Sequence, residues 1–233
     1  INNPIRALYC DEEQTLWIGT KGGGIVRINN YSSDKEPLTS FNRISAANST
    51  LTDNAVYCFA PGATGKLWIG TENGINYYSY QSKQLKEFPV VADNKKVKYV
   101  HSINELNDTT LWVSTVGEGI VKVILNNTGS LPVVKSATRI VLDKGRMASN
   151  YFFTSFQESD SILWFGNRGY GAYRLNVETG EMTPYKFDDV VKSQTANDIF
   201  AIYKNGKGYW LGTSSGLLHL NQDYSHRHDR ADL

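Results

Sequence analysis

The sequence predicts an all-β fold: five consecutive copies of a four-stranded antiparallel blade, the unit of a β-propeller. Three observations predict it. All five tryptophans of the 233 residues fall in one recurring pentapeptide. The intervals between them, 51, 44, 52 and 46 residues, each match the length of one blade. The chain holds 14 Tyr, 9 Phe and 20 Gly, a strand-and-turn composition, and no stretch of about 12 residues has a clean helical period.

Each element of the repeat has a physical reason. The first strand begins on an apolar residue, Ile5, Val56, Val100, Phe152 or Ile199. Two positions later comes a small one, Ala7, Cys58, Ser102, Thr154 or Ala201, as the crowded axis of a propeller requires. Asn stands two residues before the apolar one in four copies (Asn3, Asn54, Asn150, Asn197); the third copy departs with Lys98. The second strand is Leu16-Trp17-Ile18-Gly19-Thr20, and its counterparts centre on Trp68, Trp112, Trp164 and Trp210. Its apolar run without strict alternation marks a strand covered on both faces. Each Trp is expected in the core between blades, where truncation costs roughly 3–5 kcal/mol. The glycine after it leaves room for a close neighbour. A Gly-bearing turn and a third strand follow (Gly24–Ile28, Gly74–Tyr78, Gly119–Val123, Gly171–Leu175, Gly216–Leu220), then a polar outer strand such as Leu85–Phe88. The expected blades span about 1–50, 51–95, 96–146, 147–193 and 194–233 within a single propeller region.

Composition excludes several classes. A net charge of +1 carries no footprint of a nucleic-acid binder. No apolar run reaches the roughly 18 residues of a membrane-crossing helix. Two cysteines, Cys10 and Cys58, make no disulfide scaffold and are expected as buried free thiols. There is no Gly-x-Ser-x-Gly elbow, phosphate-binding glycine loop or zinc spacing, so no catalytic, metal or cofactor residue is assigned. His226 and His228 are expected in a solvated terminus.

The Asn–apolar–small pattern, followed by Leu-Trp-Ile-Gly-Thr and then Gly-Ile, resembles the two-component regulator propeller repeat. The resemblance covers nearly the whole chain; Ser114, Asn167 and Tyr209 are departures from it. It implies a periplasmic, non-enzymatic sensor region of a Bacteroidetes hybrid two-component histidine kinase, which dimerises through the full-length protein and responds to oligosaccharides released from polysaccharides. It implies that an immunoglobulin-like domain, a membrane helix and cytoplasmic kinase and regulator domains lie downstream. It also implies more blades per ring, commonly seven, although five blades can close alone; both readings stay open.

A packing residue recurs in every blade, whereas a binding residue need occur only once. Candidate ligand contacts are therefore sought in columns that change from blade to blade. One follows the apolar start of the first strand: Arg6, Tyr57, His101, Phe153 and Phe200. Another is the turn after the Trp strand, with Glu118, Arg168 and Tyr170, joined by Arg146 from the loop entering the fourth blade. Arg6, Tyr57, His101, Glu118, Arg146, Arg168 and Tyr170 together would suit a saccharide at one rim. Rival readings are a protein-interaction propeller without small ligand, and a propeller lyase or glycosidase.

Overall fold

The computed structural model describes residues 3–29, 42–62, 65–126, 131–142, 150–187, 194–206, 208–223 and 226–227, with backbone alone at 42, 43, 194, 195, 226 and 227. The first blade comprises β1 (Ile5–Cys10), β2 (Leu16–Thr20), β3 (Ile25–Ile28) and β4 (Asn42–Ile44). The second comprises β5 (Val56–Gly62), β6 (Lys66–Thr71), β7 (Gly74–Ser79) and β8 (Gln84–Phe88). A short hairpin, β9 (Val91–Ala92) and β10 (Lys95–Lys96), leads to β11 (Val100–Asn107), β12 (Thr110–Thr115), β13 (Ile120–Asn126) and β14 (Val133–Ile140). The fourth blade is β15 (Phe152–Ser159), β16 (Ile162–Asn167), β17 (Ala172–Asn176) and β18 (Met182–Tyr185). A one-turn 3-10 helix, Gln194–Asn197, precedes β19 (Ile199–Asn205), β20 (Gly208–Thr213), β21 (Gly216–Asn221) and β22 (His226–Arg227).

Each set of four forms one sheet in sequence order, so the protein is an all-β propeller of five antiparallel blades. His226 and Arg227 pair as the outer strand of the fifth sheet, and not as the solvated end the sequence suggested. The backbone amides and carbonyls of a two-residue strand find partners on β21, which a free tail would leave to water.

Packing divides the chain into two compact units, Ile1–Val113 with Val121–Thr138, and Ser114–Ile120 with Arg139–Leu233. In the first, two cores form. One joins Trp17, Ile25, Leu51, Val56, Leu67, Ile69 and Tyr78; the other gathers Trp68, Tyr77, Phe88, Val100, Leu111, Val121 and Val123 among its members. In the second, Trp164, Phe187, Ile199, Tyr209, Leu211, Leu218 and Leu220 share a core. Each core is a seam between consecutive blades, because a single blade has no way to cover its own two apolar faces.

The seams explain the repeat. Trp17, Trp68, Trp112 and Trp164 are buried, whereas Trp210 is half-exposed. A Cβ added at Gly70 would stand 2.6 Å from the Val100 carbonyl oxygen, and one at Gly166 would stand 2.7 Å from that of Ile199. The glycines two residues after Trp68 and Trp164 are therefore where the next blade's backbone comes too close for a side chain. The recurring Asn is a clasp. The Asn54 carbonyl accepts from Gly22 N and Gly24 N at 3.0 and 2.9 Å, while its side-chain oxygen accepts from Ala46 N at 2.8 Å. Asn150 does the same for Gly117, Gly119 and Leu142, and Asn197 for Gly171 and Phe187. At Lys98, where the pattern departs, the β9–β10 hairpin leads into the blade instead. Tyr99 turns the chain with φ of 52° and donates its N–H to the Glu72 carbonyl at 2.8 Å.

The first strand corrects one expectation. Cys10 is exposed, as are Ile5 at 58% and Leu8 at 63%. Their counterparts Val56 and Val100 are fully buried, because a preceding blade lies against them. Cys58 is half-buried as a residue but its sulfur is enclosed, and burial pushes the thiol up to about 12.

Candidate functional site

The first unit brings three of the named residues together. Arg6, Tyr57 and His101 hold the same position on β1, β5 and β11, one residue past the apolar start, so neighbouring blades deliver them side by side. Tyr57 and His101 stack with ring centroids 4.1 Å apart and 16° between planes. The Tyr57 hydroxyl donates to Glu72 Oε2 at 3.0 Å, from the turn that follows β6. Arg6 is exposed beside them, and its charge acts on both rings.

Electrostatics fix the protonation states. Burial holds the His101 imidazole down to about 4, and the Arg6 charge adds to this, so the ring is neutral at pH 7. Burial, then the hydrogen bond to Glu72, raises the Tyr57 phenol to about 12, with Arg6 opposing. The result is a neutral π stack with a guanidinium on one side and a carboxylate fixed to the phenol. Such a surface can stack on the face of a ring and hydrogen-bond its substituents. A histidine held far below 7 is badly placed for general acid–base work. Among the described residues no three His, Cys, Asp or Glu side chains come together as a metal site.

The remaining candidates are in the second unit. Glu118 is engaged by Arg139, whose Nη1 donates to its carboxylate at 2.8 Å and its carbonyl at 3.0 Å. Arg168 is exposed; Tyr170 is half-buried and close enough to Tyr173 to raise that phenol after burial has done so. In the column of Tyr57, Phe153 and Phe200 pack at 5.0 Å, a purely apolar version of the same pairing. Arg146 lies outside the described residues.

Sequence reasoning missed a set of carboxylates that hold the tryptophans. Trp17 Nε1 donates to Asp11 Oδ2 at 2.8 Å, Trp68 Nε1 to Glu105 Oε2 at 2.5 Å, and Trp164 Nε1 to Glu158 Oε2 at 2.6 Å. Asp11 also accepts from Tyr80 of the next blade at 3.1 Å, and Glu105 reaches Trp68 from the next blade. A partial signal existed: Asp11 and Glu158 both stand six residues before their Trp. That column elsewhere reads Gly62, Leu106 and Lys204, which hid it.

Known proteins bear on this architecture. Residues 1–22 and 50–73 match the two component regulator propeller family, at the first two strands of blades one and two. Those two segments are thus similar to two-component regulator propeller repeats. Over 126 residues it is 27% identical to Histidine kinase P4 of Formosa agariphila, a stretch that is 54% of this chain and 9% of that protein. The extracellular domain assigned to the hybrid two component system BT4673 of B. thetaiotaomicron superposes with a TM-score of 0.77 at 19% identity, over 97% of this chain and 30% of that one. The corresponding domain of BT3049 from the same organism gives 0.70 at 20% identity, over 97% and 30%. The chain thus spans less than a third of each of these relatives.

Proposed function

We propose that this chain is a ligand-sensing propeller segment of an extracytoplasmic sensor region, in a hybrid two-component histidine kinase that responds to oligosaccharides. The observation that carries the reading is the match of the first two blades to two-component regulator repeats. Two neighbours of known structure are extracellular domains of such systems, which supports a periplasmic location. The Arg6, Tyr57, His101 and Glu72 cluster is the rim position where a sugar ring would stack. The segment itself carries no chemistry in this reading; the kinase activity belongs to other parts of the protein, which acts as a homodimer. A melting-temperature screen of the chain against oligosaccharides tests it. A binding glycan raises the midpoint, and Tyr57→Ala together with Arg6→Ala abolishes the rise. If no glycan shifts the midpoint, or the double variant responds as the parent does, the oligosaccharide reading fails.

A second reading has its own observation. On the fifth blade Phe200, Tyr203 and Leu217 are 45%, 66% and 45% exposed, and on the first Ile5 and Leu8 are exposed too. Each face has the composition of a blade seam, and we infer that each is covered in the intact protein by further propeller blades. A propeller that binds proteins through these faces, without a small ligand, is the competing interpretation. Sedimentation of the chain at rising concentration distinguishes them, since sticky uncovered seams self-associate and a longer chain with more blades does not.

A further inference from the structure

The rim opposite the Tyr57–His101 cluster holds a cavity of about 330 Å³, in the seam between the first two blades. It is bounded by Tyr9 and the β1–β2 turn residues Asp11, Glu12 and Glu13 on one side. On the other stand Pro61, Gly62, Gly65 and Lys66 of the β5–β6 turn, with Tyr80 beyond β7. The space is left by small residues: a side chain built on Gly65 would meet nothing within 4 Å. The volume lies at the lower end of the range of small-molecule sites, roughly 300–1,000 Å³.

Among the described seams, two tyrosines face one another across adjacent blades in these positions only here. By strand register the place of Tyr9 is taken by Ala60, Asn104, Phe156 and Tyr203 in the other blades, and that of Tyr80 by Leu125, Val177 and Gln222 in the third to fifth. Packing alone would not require the pair, since other described seams close with Ala60 and Leu125, or Phe156 and Gln222, in these two places. Its charged lining is negative on balance, with Asp11, Glu12 and Glu13 against Lys66. Asp11 is buried and accepts from Thr15 N at 2.8 Å, Trp17 Nε1 at 2.8 Å and Tyr80 Oη at 3.1 Å. Burial and then the Asp11 charge raise both Tyr9 and Tyr80, so each stays a neutral phenol with an intact π face. Glu13 is held by Lys83 Nζ at 2.5 and 2.6 Å, and the same ammonium stands 5.8 Å from the centre of the Tyr80 ring, which already accepts one cation on a face. Glu12, exposed at the mouth, makes no hydrogen bond or ion pair among the described residues.

We propose that this cavity binds a compact organic cation, an ammonium or guanidinium head on a short stem, between the Tyr9 and Tyr80 rings with Glu12 as its counter-charge. Phenol faces attract cations, and do so more strongly where water is excluded. The three carboxylates do not converge as metal ligands, which favours an organic cation over a metal ion. The site is independent of the sugar-sensing rim and stands whether or not that reading does.

Titration calorimetry of the 233-residue chain with choline tests it, with 3,3-dimethyl-1-butanol as the same shape without the charge. Choline gives saturable heat, and the alcohol binds at least about tenfold more weakly. Glu12→Gln, at an exposed position that leaves the fold intact, weakens choline about tenfold, and so does added salt. Tyr9→Leu weakens it to a similar degree, whereas Arg6→Ala at the opposite rim changes nothing. Equal binding of the alcohol, an unchanged affinity in Glu12→Gln, or no saturable heat up to about 10 mM choline overturns the proposal.

Discussion

Trp164 and Trp210 occupy the same place in the pentapeptide of adjacent blades, yet they live in different surroundings. Trp164 is 1% exposed. Tyr209 of the following blade lies 5.4 Å from it and Tyr185 5.0 Å, while Glu158 accepts its indole N–H. Trp210 is half-exposed and rests on His219 at 4.7 Å, and the residue six before it in sequence is Lys204, where Trp164 has Glu158. The motif thus provides a knob, and the following blade provides the hole. Burial belongs to the stack of repeats and not to the pentapeptide.

That comparison can be broken most sharply by truncating each ring. Trp164→Ala should cost about 3–5 kcal/mol in urea unfolding and Trp210→Ala about 1 kcal/mol. Equal losses would mean that the covering blade contributes little. A smaller effect sharpens the polar half of the contrast. Glu158→Gln keeps an acceptor but removes the charge, and should cost about 1–2 kcal/mol, whereas Lys204→Gln should stay within about 0.5 kcal/mol. A shift in the unfolding midpoint for the lysine variant as large as for the glutamate variant would refute the role given to Glu158.

The smallest effect carries the contrast between covered and open positions into protonation. His101 has a folded value near 4 against 6.5, held down by burial and by Arg6, with Tyr57 against its face and Glu72 bonded to that phenol. Between those two values the unfolded chain takes up the proton more readily than the folded one. The stabilisation is therefore complete above about pH 6.5 and is lost as pH falls toward 4. His101→Phe keeps the stack and removes the proton, so its urea midpoint should fall less steeply from about pH 7 to 4.5 than that of the parent. Parallel slopes would show that His101 is not the titrating group.

What the sequence disclosed follows from what repeats. The Trp strands, the glycines beneath the next blade and the Asn clasps recur, and recurrence alone located them. Tyr57 and His101 were legible as members of a changing column. That their rings stack was not, because the partner comes from another blade 44 residues on. A separation of 37 residues likewise hid Glu105 as the acceptor for Trp68. Cys10 and Trp210 were misread for one reason. A strand's own residues say that it has two apolar faces, but not whether a neighbour lies against both. The Tyr9–Tyr80 cavity was hidden in the same way, since the rings that line it come from two blades.

Two thiols of opposite character share this chain. Cys10 lies open on the first strand, while the Cys58 sulfur is shut between Gly70 and the Val100 carbonyl, 4.0 Å from that oxygen. An alkylating reagent would consume the first at the rate of a free thiol. It would reach the second only when blades two and three part. Cys10 is thus an internal standard and Cys58 a clock, and the ratio of their labelling rates measures how often a propeller seam breathes without any change to the protein.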